Sequence, residues 1–93
     1  MDYKVVYTPN AEHDLDDLSP LIARKILKKV RFFLEGGEPL RFAKKLKGLN
    51  DYFRFRVGDY RVIFRQDAKS HSLVVLVVLR IGHRKAVYRG RLL

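Results

Sequence analysis

The run Lys44–Arg65, K-K-L-K-G-L-N-D-Y-F-R-F-R-V-G-D-Y-R-V-I-F-R, decides the fold. Two alternating segments flank Gly58-Asp59, the pattern of a β-hairpin closed by a two-residue turn. With that turn, Val57 faces Tyr60, Arg56 faces Arg61, Phe55 faces Val62, Arg54 faces Ile63, Phe53 faces Phe64 and Tyr52 faces Arg65. Strand side chains alternate between the two faces of a sheet. One face then carries Phe53, Phe55, Val57, Tyr60, Val62 and Phe64. The other carries Tyr52, Arg54, Arg56, Arg61, Ile63 and Arg65.

Like charges directly opposite on a sheet are unfavourable, by roughly a few tenths of a kcal/mol. A polyanion laid against the second face would relieve Arg56 beside Arg61. The plain alternative is a solvated basic face whose arginine stems cover apolar surface.

Composition sets the frame around the hairpin. At 93 residues the chain forms one domain, 1–93, near the small end of what buries its own core. An apolar share of 47%, with five Tyr and six Phe, suffices for two layers. With no Cys there are no disulfides and no thiol chemistry. No run reaches membrane-spanning length, and the first residues lack the basic-then-apolar pattern of a secretion signal, so a cytoplasmic location is expected. The net charge is +10, unevenly placed. Residues 1–18 hold one basic and five acidic side chains, a net of −4; residues 19–93 hold the other 19 basic and five acidic, a net of +14. Such a basic portion attracts nucleic acid or an acidic protein.

Before the hairpin, Tyr3–Tyr7 reads as a strand. Thr8-Pro9 and Ser19-Pro20 each read as a helix cap followed by a first-turn proline. They open helices to about Leu18 and from about Pro20 to Leu34, the second with Leu21, Ile22, Ile26, Val30, Phe33 and Leu34 at helical spacing. Asp14, Asp16 and Asp17 read as a solvated face. Gly36-Gly37 ends the second helix, and residues 40–47 stay ambiguous. Beyond the hairpin, Asp67–Ser70 reads as a turn. His71–Ile81 reads as a central strand covered on both faces. The expected architecture is α+β: a two-helix hairpin on one face of a small, mainly antiparallel four-stranded sheet, ordered β-α-α-β-β-β.

No phosphate-loop, dinucleotide or zinc-protease motif is present. Past residue 38 the only carboxylates are Asp51, Asp59 and Asp67, too few and too scattered for a two-metal nuclease. No metal and no cofactor are expected. RNA can be cut without a metal if its own 2′-hydroxyl attacks the neighbouring phosphate. Arginines would then neutralise the charge that builds on the phosphoryl oxygens.

The hairpin run, the valine-rich strand after it and the closing I-G-H-R-K-A-V-Y-R together resemble the RelE/ParE toxin superfamily, and its RelE branch more than its ParE branch. The resemblance implies the toxin of a type II toxin–antitoxin module. It implies a ribosome-dependent endoribonuclease that cuts mRNA in the A site and leaves a 2′,3′-cyclic phosphate and a 5′-hydroxyl. Carried onto this chain, the family's functional positions fall on Arg54 for phosphate binding and Arg61 for transition-state charge. They also fall on Arg84 for the leaving group and Tyr88 as base or stacking ring. Lys45, Lys47, Arg56, Arg65, His83 and Lys85 would hold the RNA around them, with His83 a candidate acid. Some members carry lysine two residues before Arg54; Tyr52 stands there in this chain, and Arg56 or Lys47 would supply the charge. The glutamate of members with a Glu/His pair is absent. The implied partners are a cognate antitoxin, the ribosome and mRNA, with operator DNA bound only as a toxin–antitoxin complex and no membrane. The alternatives are a ParE-like inhibitor of DNA gyrase and a non-catalytic basic binding module of the same fold.

Overall fold

Gly58 closes the hairpin at φ +59°, while Asp59 stays at negative φ. Positive φ at the first central position alone is the type II′ pattern, whose twist matches the flanking strands. The register that follows is the one the alternation predicts, from Tyr52 opposite Arg65 to Val57 opposite Tyr60. In this computed structural model, residues 2–68 and 72–87 are described. Tyr88, with the predicted turn's Lys69 and Ser70 and the predicted strand start at His71, lies outside them.

The elements run β1 (Asp2–Tyr7), α1 (Pro9–Asp17), α2 (Pro20–Glu35), a 3₁₀ turn (Pro39–Phe42), β2 (Ala43–Lys45), β3 (Tyr52–Val57), β4 (Tyr60–Ala68) and β5 (Leu73–His83). Both predicted caps form. The Thr8 hydroxyl accepts from the Ala11 amide at 3.1 Å and the Ser19 hydroxyl from the Ile22 amide at 3.3 Å. Among the described residues the sheet is five-stranded in the order β1-β5-β4-β3-β2, with β1 parallel to β5 and all other neighbours antiparallel. The fold class stands; the strand count rises from four to five because Ala43–Lys45 adds a short edge to β3. Three residues are too few to show a period of two.

The core lies between the helices and one face of the sheet. Ala11, Ile26, Val30 and Phe33 meet Phe55, Val57, Val62, Phe64, Val74, Leu76, Val78 and Ile81. β5 is an interior strand, between β1 and the central β4, and is buried on both faces, since Val75 and Val77 are also buried. Its pairing with β4 is interrupted by a bulge. Phe64 pairs with Val78 but Ile63 with Arg80, so Leu79 is extra. The bulge resets the phase, putting Ile81 rather than Arg80 into the core opposite Val62.

Past Tyr7, β1 no longer pairs with β5, and α1 takes over that edge. The Thr8 hydroxyl donates to the Leu79 carbonyl at 3.2 Å, and Asp14 Oδ2 accepts from the Ile81 amide at 2.9 Å. Arg80 donates to both oxygens of Asp14, Nε to Oδ2 at 2.9 Å and Nη2 to Oδ1 at 3.2 Å. Hydrogen bonding to Asp14 holds the Arg80 guanidinium above its ordinary pKa, against the opposing effect of partial burial. Asp14 is thus not solvated as the sequence suggests, because its partner lies 66 residues away. Asp14→Ala leaves the Ile81 amide and Arg80 without this acceptor, and the expected cost is about 1–3 kcal/mol. Thermal unfolding checks it, and Asp14→Asn should recover part of the loss by keeping the amide bond. Equal melting of Asp14→Ala and the parent would show that α1 is not pinned there.

Candidate nucleic-acid interface

The face turned away from the helices is built from three neighbouring strands. Lys44 on β2 pairs with Arg54 on β3, Arg54 with Ile63 on β4, Arg56 with Arg61, and Tyr52 with Arg65. Cross-strand partners share a face, so these side chains lie together. Phe42, Lys44, Arg54, Arg56 and Arg61 line one open cleft of about 210 Å³. None of the five is acidic.

Arg61 is the most enclosed cation of the group, at 9% exposure. Its Nη1 donates to the Gly58 carbonyl at 2.9 Å and to the Tyr60 carbonyl at 3.0 Å. The hairpin turn therefore fixes one end of the guanidinium fork, which limits the entropy lost when the fork meets an anion. Arg54 is half-buried and Arg56 exposed.

The same turn holds Arg84. Its amide donates to the Asp59 carbonyl at 2.7 Å, and its Nε lies 3.6 Å from Asp59 Oδ1. Both side chains are more than half exposed, so this pair is weakly held and open to competition by another anion. Arg61 and Arg84, which come from β4 and from beyond β5, are thus both anchored on Gly58–Tyr60. Val87 folds back over Gly82, the cross-strand partner of Arg61; a Cβ built on Gly82 would meet the Val87 Cβ at 3.4 Å.

The other sequence-derived positions divide. Arg65 shares the arginine face and is half-buried opposite Tyr52 and Val77. Lys47 is exposed in the turn after β2, and Lys85 is exposed in the turn after β5. Lys45 pairs with Phe53 and so lies on the helix side of the sheet. His83 pairs with Tyr60, whose ring it meets edge-on at 5.6 Å between centroids. Tyr60 packs against the core, so His83 is also on the helix side, away from the cleft. Its Nδ1 accepts from the Lys85 amide at 3.1 Å. The structure thus brings Arg54, Arg56 and Arg61 together, puts Arg84 at the hairpin tip, and separates His83 and Lys45 from them. Tyr88 lies outside the described residues. Lys44 and Phe42 are cleft residues that sequence reasoning passed over; a strand at 43–45 in register with Phe53–Phe55 would have put Lys44 beside Arg54.

Among the described residues, no helix is long and apolar enough to cross a membrane. The family model of the ParE toxin of type II toxin–antitoxin systems matches residues 5–88. Toxin RelG of Mycobacterium tuberculosis is 40% identical over 93 residues, covering 96% of this chain and 99% of that protein. The crystal structure of the toxin–antitoxin complex RelBE2 from the same organism contains a chain 36% identical, with a TM-score of 0.68 over 90% of this chain and 100% of that one. A free mutant of the Escherichia coli toxin RelE, 22% identical, shares the fold with a TM-score of 0.68 over 92% of this chain and 87% of that one. Two helices on a five-stranded sheet, a family match along almost the whole sequence and a relative aligned over nearly all of both chains agree: the chain belongs to the RelE/ParE superfamily of type II toxin–antitoxin toxins.

Proposed function

We propose that this toxin is a ribosome-dependent endoribonuclease of the RelE kind, cutting mRNA by attack of a 2′-hydroxyl on the adjacent phosphate. The observation that carries the reading is the acid-free cleft in which Lys44, Arg54, Arg56 and Arg61 meet on one face of the sheet. In the reaction the 2′-oxygen loses its proton and bonds to phosphorus, the P–O5′ bond breaks, and the 5′-oxygen leaves with a proton. The products are a 2′,3′-cyclic phosphate and a 5′-hydroxyl. Arg61, held by the turn, faces the charge that grows on the phosphoryl oxygens. Arg54 binds the phosphate, and Arg84, released from Asp59, steadies the departing oxygen. Tyr88 is the proposed base or stacking ring. The placement of His83 with Tyr60 makes it a poor candidate for the acid.

The proposed partner is a cognate antitoxin, as in the RelBE2 complex of Mycobacterium tuberculosis. A chain of net charge +10 favours an acidic segment in that partner.

Purified protein is to be incubated with mRNA, with and without ribosomes, and the new ends analysed. Cleavage only on ribosomes, with cyclic-phosphate ends, is the expected result. Equal cleavage of free RNA would remove the ribosome dependence. Intact mRNA together with loss of gyrase supercoiling would replace this reading with the ParE-like one, whose name the matching family model carries.

A further inference from the structure

Phe42 is an expensive residue to leave where it is. The residue is 48% exposed, one of three large apolar residues so placed among the described residues. It is not loosely held. The ring stacks on Phe33 of the core at 4.8 Å between centroids and 23° between planes, and leans on Phe32 at 6.1 Å. The 3₁₀ turn that carries it is fixed by buried Pro39 and by Arg41, which donates to Glu38 at 3.2 Å. The covered side of the ring faces the core, and Phe42 also lines the cleft of Lys44, Arg54, Arg56 and Arg61. A flat apolar ring, braced from behind, thus borders a cluster of cations.

That combination is what single-stranded nucleic acid requires: cations for the backbone and an aromatic surface for a base. We infer that Phe42 is a nucleobase platform, on which one base of the bound RNA stacks while its neighbouring phosphate lies on Lys44 and the arginines. The inference rests on the cleft being an RNA site, as proposed above, and adds the part of the nucleotide that the arginines do not recognise. The cleft, of about 210 Å³, places the Phe42 ring and the cations around one shared space. Stacking is tolerant of sequence, because every base has a π-face. The platform therefore sets which position along the strand is gripped more than which base is chosen. Lys44 is the second member of this subsite; its register with Arg54 puts its charge beside the arginines rather than on the helix side with Lys45.

The test is a binding cycle on the full-length protein with RNA trinucleotides. One probe is intact, and three others each lack the base at one position while keeping the sugar and phosphate. The parent is expected to lose about 10- to 100-fold in affinity when the base at one position is removed. Phe42→Leu, which keeps apolar bulk against Phe33, should bind the intact probe as weakly as the parent binds that baseless one, with no further loss on base removal. Phe42→Trp should retain the loss, and this variant guards against a packing effect of leucine. Equal sensitivity to base removal in the parent and in Phe42→Leu, or no measurable binding of any trinucleotide, would overturn the platform. Failure of the nuclease reading looks different: the cycle would close on Phe42 while ribosome-bound mRNA stayed intact. Conversely, ribosome-bound mRNA cut by the parent and spared by Arg61→Ala, with no cycle on Phe42, would leave the nuclease and sink the platform.

Discussion

Arg61→Ala is expected to lower cleavage of ribosome-bound mRNA by about 10²- to 10³-fold, the scale on which removing one preorganised charge-stabilising donor acts. Induction of the variant should no longer arrest growth. Arg61 is singled out because two carbonyls of the hairpin turn already hold its Nη1, so its position exists before any RNA arrives. Arg61→Lys separates charge from geometry. It keeps the cation but loses the planar fork, and activity between those of the parent and Arg61→Ala is expected. Loss of the turn bonds costs the fold about 1 kcal/mol, so a melting curve must show each variant folded. Full activity in a folded Arg61→Ala would remove this residue from the chemistry.

Phe64→Ala should damage the fold far more than Asp14→Ala or Arg61→Ala, with an expected loss of about 3–5 kcal/mol. Phe64, on the central strand β4, is fully buried, stacks on Phe55 at 4.5 Å and Phe53 at 5.6 Å, and pairs with Val78 on β5. The ring is therefore shared by β3, β4 and β5. Domains of ordinary stability hold only about 5–15 kcal/mol. At about 4–8 °C per kcal/mol for a domain of this size, the melting temperature should fall on the order of 20 °C. A fall of only a few degrees would mean that the core centre lies elsewhere.

Local rules made the hairpin, both helix caps and the arginine face readable in advance. Each depends on residues close in sequence: a glycine that accepts positive φ, a hydroxyl three residues before an amide, a period of two. What escaped depends on distant chain. Nothing in Tyr3–Tyr7 says that its neighbour is Val74–Val78, or that the pairing is parallel. Asp14 looks like any solvated acid until Arg80 arrives from the far end. The extra residue Leu79 changes which β5 side chains face the core, and no composition signal marks it. The site divides in the same way. Arg54, Arg56 and Arg61 follow from counting outward from Gly58. Lys44 and Phe42 needed the pairing of a three-residue strand. The side taken by His83 needed β5 to run on through Gly82, where the sequence suggested an end.

The parallel contact between β1 and β5 also bears on how the protein is made. Among the described residues, β5 is the only strand that touches both β1 and the hairpin, and it follows all the others in chain order. During synthesis the first strand must wait with an empty flank while the helices and the hairpin emerge, and the hairpin's own outer edge stays bare. A nascent chain that stops at Ala68 has Arg54, Arg56 and Arg61 but lacks Arg84 and the strand that joins the hairpin to β1. The sheet is complete only when β5, which follows the other strands in chain order, lies between β1 and β4.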